Sequence, residues 1–159
     1  MQTTHPASGA RFEAAQTRLV RDSFALVAPV AAQAAALFYG RLFEREPAVA
    51  RLFGGDMKLQ GERLMTMIAS AVAGLDRPDM LSHTLVELGR RHQGYGVQQS
   101  HYDAVGAALI DTLAGALGEA LTPAHRAAWA AVYQHIAALM QQGQAAAAAS
   151  AAGADAATA

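Results

Sequence analysis

At 159 residues the chain is long enough for one domain with a real core, and 53% hydrophobic residues set it apart from disordered sequences. With 12 basic and 13 acidic residues the formal charge is −1, so no basic stripe is available for nucleic acid or an anionic membrane. The absence of cysteine excludes disulfides, thiolate zinc sites, iron–sulfur clusters, cysteine nucleophiles and covalent attachment through Cys-x-x-Cys-His.

The opening "MQTTHPASGARFEAAQ" has no apolar core of signal-peptide length, and residues 1–10 are expected to be disordered. No run of about 18 to 20 apolar residues uninterrupted by charge is expected, which points to a cytoplasmic chain with no membrane partner. Gly and Pro cut the remainder into helical segments, and no window alternates as strands do. The first segment, roughly 10–28, carries Leu19, Val20, Phe24 and Val27 on one face and stops near Pro29. The second, about 30–45, buries Ala35, Phe38, Tyr39, Leu42 and Phe43. "EPAVARLF" reads as a short helix with Pro47 in its first turn. After a Gly-Gly loop, a helix over about 57–75 carries the stripe Gln60, Leu64, Met67, Ile68, Ala71 and Leu75, and Asp76 to Pro78 ends it.

The next helix steps through Leu81, Leu85 and Leu88, and the following step lands on His92, just before a Gly-Tyr-Gly break. Another helix starts near Gln99 and sets Tyr102, Val105, Leu109, Thr112, Leu113 and Leu117 at helical spacing. Thr122 caps a final helix with Pro123 in its first turn and Trp129, Val132, Tyr133, Ile136 and Met140 on its apolar face. From Gln144 onward the composition collapses to alanine with almost nothing to bury. The domain is therefore expected over 11–143, with a disordered tail over 144–159. The architecture reads as all-α, with helices of unequal length.

Three polar side chains occupy predicted core positions: Tyr39, Gln60 and His92. A buried polar group costs about 1–3 kcal/mol unless it finds a partner. Taken alone, each has a plain structural explanation: a hydrogen-bonded core histidine, a glutamine at the solvent end of its stripe, a tyrosine with its hydroxyl at the surface. Gln60 and His92 stand on separate helices joined by a loop, able to face each other across a gap. A neutral imidazole is the usual protein ligand of haem iron, and a porphyrin between the two helices accounts for the interrupted stripes.

At these residues the sequence resembles the globin family. "LFYGRLFEREPAVARLF" is similar to the globin second and third helices, ending in the phenylalanine that stacks on the haem, here Phe53. Gln60 falls on the distal position and Leu64 on the apolar position one turn beyond. "LGRRHQGYGVQQSHYDAVG" matches the proximal helix and the start of the next, and "TPAHRAAWAAVYQHIAALM" the last helix. The likeness runs from about residue 16 to 142 and is strongest to single-domain bacterial haemoglobins, the neuroglobin-like branch and flavohaemoglobin haem domains. It implies a three-over-three helical sandwich around a non-covalent haem b (iron protoporphyrin IX), with O₂, NO or CO as gas ligands.

The resemblance assigns the roles. His92 would bind the iron, leaving it five-coordinate in the ferrous state, because no histidine stands at the distal position. Tyr39 and Gln60 match a Tyr–Gln distal pair that stabilises O₂ polarised towards superoxide, so O₂ would be held tightly and released slowly. Arg63 lies where the family sets a cation against a haem propionate, and Arg91 is a second candidate for that task. Leu88, Val97 and Val105 would line the proximal side, and Tyr102 matches a tyrosine placed near the proximal histidine. Flavohaemoglobins add a glutamate from the last helix, whereas this chain has no Asp or Glu between Glu119 and Asp155, and Gln144 stands near that place. No reductase domain is expected here, so turnover would need an external reductase as partner. The resemblance implies an O₂-binding globin; NO dioxygenation and nitrite reduction at low O₂ are the enzymatic alternatives. A helical module that keeps the fold without haem is a third reading, opposed by the retention of Tyr39, Phe53, Gln60 and His92.

Overall fold

A computed structural model describes residues 12–157, so the disorder expected over 1–10 lies outside the described residues. Among those residues there are helices and no strand. The first helix, α1 (Ala14–Val27), leads through a single 3-10 turn (Ala28–Val30) directly into α2 (Ala31–Arg45). Pro29 removes one backbone donor, and the chain answers by tightening one turn rather than by stopping. Pro47 then enforces the break after α2 and opens a 3-10 helix, Pro47–Leu52.

The third helix, α3 (Met57–Ala73), starts where the Asp56 carboxylate accepts the backbone N–H groups of Lys58 and Leu59 at 2.9 and 3.3 Å. Helix α4 (Pro78–His92) has Pro78 in its first turn and Arg90, Arg91 and His92 in its last, next to the negative end of its dipole. A 3-10 turn, Gln93–Tyr95, ends at Gly96, whose φ of 72° suits glycine. Helix α5 covers Gln99–Leu117, and α6 begins at Pro123 with Thr122 as the expected cap. The Thr122 hydroxyl accepts the His125 N–H, while the His125 ring nitrogen accepts the Thr122 N–H.

Two expectations differ from the fold. α6 continues as helix to Ala157 instead of giving way at Gln144. Alanine has the highest helix propensity, and extending an existing helix avoids the cost of a new nucleus. In addition, the helical stretch Ala14–Arg45 is long and apolar enough to cross a membrane by length and composition, at a mean hydropathy of 1.5. Its residues 23–40 carry no charge. Here the stretch serves as core, with Val20, Val27, Phe38, Tyr39 and Leu42 all buried.

Helices α2, α5 and α6 form one layer, and α1, α3 and α4 lie across it. α4 packs mainly on α6, and α3 on α2 and α1, but no extensive packing joins α3 to α4. The larger core gathers Val20, Val72, Leu85, Leu113, Trp129 and Val132. A second, smaller core gathers Phe38, Tyr39, Leu42, Val49 and Ala108.

Candidate functional site

Tyr39 is 6% exposed on the inner face of α2, in a cage of aromatic edges. Its ring centroid lies 5.1 Å from Phe38, 5.3 Å from Phe53 and 5.8 Å from Phe43. Burial pushes the Tyr39 hydroxyl above its usual phenol range, and the nearby Gln60 side chain opposes that shift. The structure thus brings together Tyr39 from α2 and Gln60 from the first turn of α3. Around the small core, Phe43, Phe53, Met57, Leu64, Ala104, Val105 and Leu109 are only half buried. Apolar side chains left half covered around a core are suited to contact with an apolar ligand.

His92 closes α4 and is also half buried. Its Nδ1 lies 2.8 Å from the Leu88 carbonyl oxygen. A carbonyl can only accept, so the proton sits on Nδ1 and the lone pair of the neutral ring is on Nε2. The exposed Tyr95 ring stands edge-on to the imidazole at 5.5 Å and 72°. Among the described residues no three His, Cys, Asp or Glu side chains converge to hold a bare metal ion.

Beyond His92 the Tyr102 hydroxyl donates to Gln144 Oε1 at 2.8 Å, the Gln144 amide donates to the Val97 carbonyl, and the Tyr133 hydroxyl donates to the Tyr102 carbonyl. Tyr102 therefore points at α6, and its hydroxyl makes no bond to His92. Burial raises the hydroxyls of both Tyr102 and Tyr133, and the neighbouring Tyr102 and Asp103 add to the rise at Tyr133.

Of the residues singled out in the sequence, Tyr39, Phe53, Leu64 and Val105 share the smaller core, with Gln60 beside Tyr39. Leu88 packs against the larger core and meets His92 through its carbonyl. Val97 likewise contributes a backbone carbonyl. Arg63 and Arg91 are exposed and form no ion pair among the described residues. Phe43, Met57, Ala104 and Tyr95 were not read as site residues. Phe43 was recoverable, since it follows Tyr39 by one helical turn; Tyr95 sits in a loop, where no periodicity marks it.

Residues 36–140 match the family model described as Globin. A neuroglobin of Danio rerio is 31% identical over 139 residues, covering 79% of this chain and 87% of its own length. Flavohemoproteins of Deinococcus radiodurans and Rhizobium meliloti are 31% and 29% identical, and this chain spans only 26% and 32% of their length. Among solved structures, a hexacoordinated haem protein of an anhydrobiotic tardigrade superposes at a TM-score of 0.77 with 18% identity, over 84% of this chain and 95% of that one. An engineered carbene transferase made from a putative nitric oxide dioxygenase of Rhodothermus marinus superposes at 0.79 with 26% identity, over 89% and 99%. The match to the family model, the neuroglobin likeness and the helical layers around His92 lead to one statement: the chain belongs to the globin family.

Proposed function

We propose that the chain is an O₂-binding globin that carries a non-covalent haem b between α3 and α4 and releases O₂ slowly. The observation that carries this reading is the state of His92, whose Nδ1 is committed to the Leu88 carbonyl while Nε2 is left as a metal donor. The remaining residues fit the same group. Half-buried Phe53, Leu64 and Val105 offer apolar contact to a macrocycle, and exposed Arg63 and Arg91 offer cations to its carboxylates. When bound, haem supplies an iron that takes O₂, NO or CO reversibly. His92 would hold the group through Nε2. Tyr39 and Gln60 would supply a phenol O–H and an amide N–H to the gas ligand, with Phe38 and Phe53 packed against the Tyr39 ring. Raised by burial, the Tyr39 hydroxyl keeps its proton across the physiological range and stays a donor. Each such bond to a ligand that gathers negative charge is worth about 1.5–3 kcal/mol.

The likeness to the flavohemoproteins and to the putative nitric oxide dioxygenase supports a second reading, in which NO and O₂ combine to nitrate, both oxygen atoms of O₂ ending in the product and an external reductase supplying one electron per turnover. Tyr39 and Gln60 serve that reaction in the same places. Purified protein is expected to take up hemin stoichiometrically with a Soret band, and His92→Ala to lose it while keeping its helical circular dichroism. Sustained nitrate formation from NO with a supplied reductant separates the enzyme from the carrier. A wild-type chain that refuses hemin overturns both readings.

A further inference from the structure

Helices α4 and α6 approach each other backbone to backbone one turn before His92. Two buried glycines face each other across the crossing of α4 and α6. A Cβ added to Gly89 would sit 1.9 Å from the Met140 carbonyl oxygen, and one added to Gly143 would sit 1.9 Å from the Val86 carbonyl oxygen. The contact is reciprocal: each glycine backbone rests on the carbonyl three residues before the other glycine. No flexible side chain is available to give way, because both obstructing groups are backbone. Interior glycines weaken helices, and this chain uses alanine freely, so glycine at these two positions marks a place where a methyl group does not fit.

The crossing is tied to the imidazole at short range. Gly89 is three residues before His92, and the Leu88 carbonyl that holds His92 Nδ1 is its immediate neighbour. On the other helix Gln144, next to Gly143, holds the Val97 carbonyl beyond the end of α4. The last turn of α4 is therefore clamped to α6 from both sides. Moving an added Cβ from 1.9 Å to an ordinary contact of about 3.4 Å requires about 1.5 Å of separation between the helices, and α4 would carry His92 with it.

We propose that Gly89 and Gly143 are positioning residues for the iron ligand: their backbone crossing sets how far His92 reaches towards the haem, and so fixes the strain on its bond to iron. This rests on the haem reading given above. Resonance Raman spectra of the ferrous, ligand-free protein report the iron–histidine stretch, and transfer of hemin to an excess of apomyoglobin reports its retention. Gly89→Ala and Gly143→Ala are expected to shift or broaden the stretch by several wavenumbers and to speed hemin loss at least about tenfold. Val20→Ala, a cavity made in the larger core by a residue of α1 that leaves both glycines in place, is expected to lower the melting temperature without moving either readout. Val86→Ala and Met140→Ala trim side chains beside the crossing but keep both glycines; they are expected to fold and to leave the stretch in place.

Glycine variants that melt earlier but keep the wild-type stretch and hemin retention overturn the proposal while the haem reading stands. A shift in the stretch from Val86→Ala or Met140→Ala overturns it as well, since side chains and not the backbone crossing would then set the spacing. A wild-type chain that takes no hemin removes both the haem reading and this inference.

Discussion

The Tyr102 hydroxyl donates a 2.8 Å hydrogen bond to Gln144 Oε1, joining two side chains that are 42 residues apart in sequence. The same carboxamide donates from its nitrogen to the Val97 carbonyl, so Gln144 bridges α5, α6 and the loop that follows His92. A carboxamide accepts from the phenol through its oxygen and donates to the carbonyl through its nitrogen, so both bonds form at once. Gln144→Glu keeps the first bond and loses the second, turning a carboxylate towards a carbonyl oxygen. It is expected to cost about 1–3 kcal/mol of stability, and Gln144→Leu a similar amount. Thermal unfolding measures both, and a Glu variant as stable as wild type would show that the bridge contributes nothing.

Tyr39 is the donor whose loss should be felt most by a gas ligand. In Tyr39→Phe the aromatic cage of Phe38, Phe43 and Phe53 is preserved and only the hydroxyl is removed. Loss of about 1.5–3 kcal/mol corresponds to roughly a ten- to hundredfold faster O₂ dissociation, since each 1.36 kcal/mol is tenfold. Stopped-flow displacement of O₂ by CO reads the rate directly. An unchanged rate removes Tyr39 from the site, whereas a faster one sets the size against which Gln60→Leu is compared.

Acid should weaken the fold through His135. Burial lowers this imidazole below its ordinary value of 6.5, and its ring stands edge-on to Phe12 at 5.3 Å. The unfolded chain accepts the proton near 6.5, but the folded chain resists until a lower pH. Over that interval the unfolded state binds more protons, so stability falls as pH drops below 6.5; above 6.5 the group has no effect. His135→Phe retains the aromatic contact and removes the titration. Its melting temperature is expected to fall less than wild type between about pH 7.5 and 5.5, and parallel curves for the two proteins would contradict this.

What the sequence made legible followed from periodicity. Interruptions of apolar stripes marked Tyr39, Gln60 and His92, and the first two prove to be neighbours although they stand on different helices. The helix ends were legible wherever Pro, Thr or Gly supplied a local chemical reason, as at Pro47, Thr122 and Gly96. The stripe marks Leu88 as a core position and the resemblance makes it a lining residue; its side chain joins the larger core, and its carbonyl serves His92. Periodicity reports which way a side chain points and is blind to backbone groups. For the same reason Gly89 and Gly143 escaped notice: a residue without a side chain belongs to no stripe. Past Gln144, low hydrophobicity was read as disorder, but helix propagation needs no buried face.

Ser23 was illegible for a different reason, because its partner is 106 residues away. Its hydroxyl accepts the Trp129 indole N–H at 2.8 Å and donates to the Leu19 carbonyl at 2.6 Å, with Ser23 and Trp129 each 2% exposed. One small hydroxyl thus satisfies the polar end of the only tryptophan in the chain while closing back on its own helix. Ser23→Ala leaves a buried N–H without an acceptor and is expected to cost about 1–3 kcal/mol, several degrees in melting temperature for a domain of this size. Trp129→Phe loses contact area and also removes the orphaned donor. In the double variant the Ser23→Ala change should therefore cost much less than it does alone, a coupling of about 0.5–3 kcal/mol in a double-mutant cycle. Strict additivity of the two changes would mean that the indole N–H finds another acceptor once Ser23 is gone.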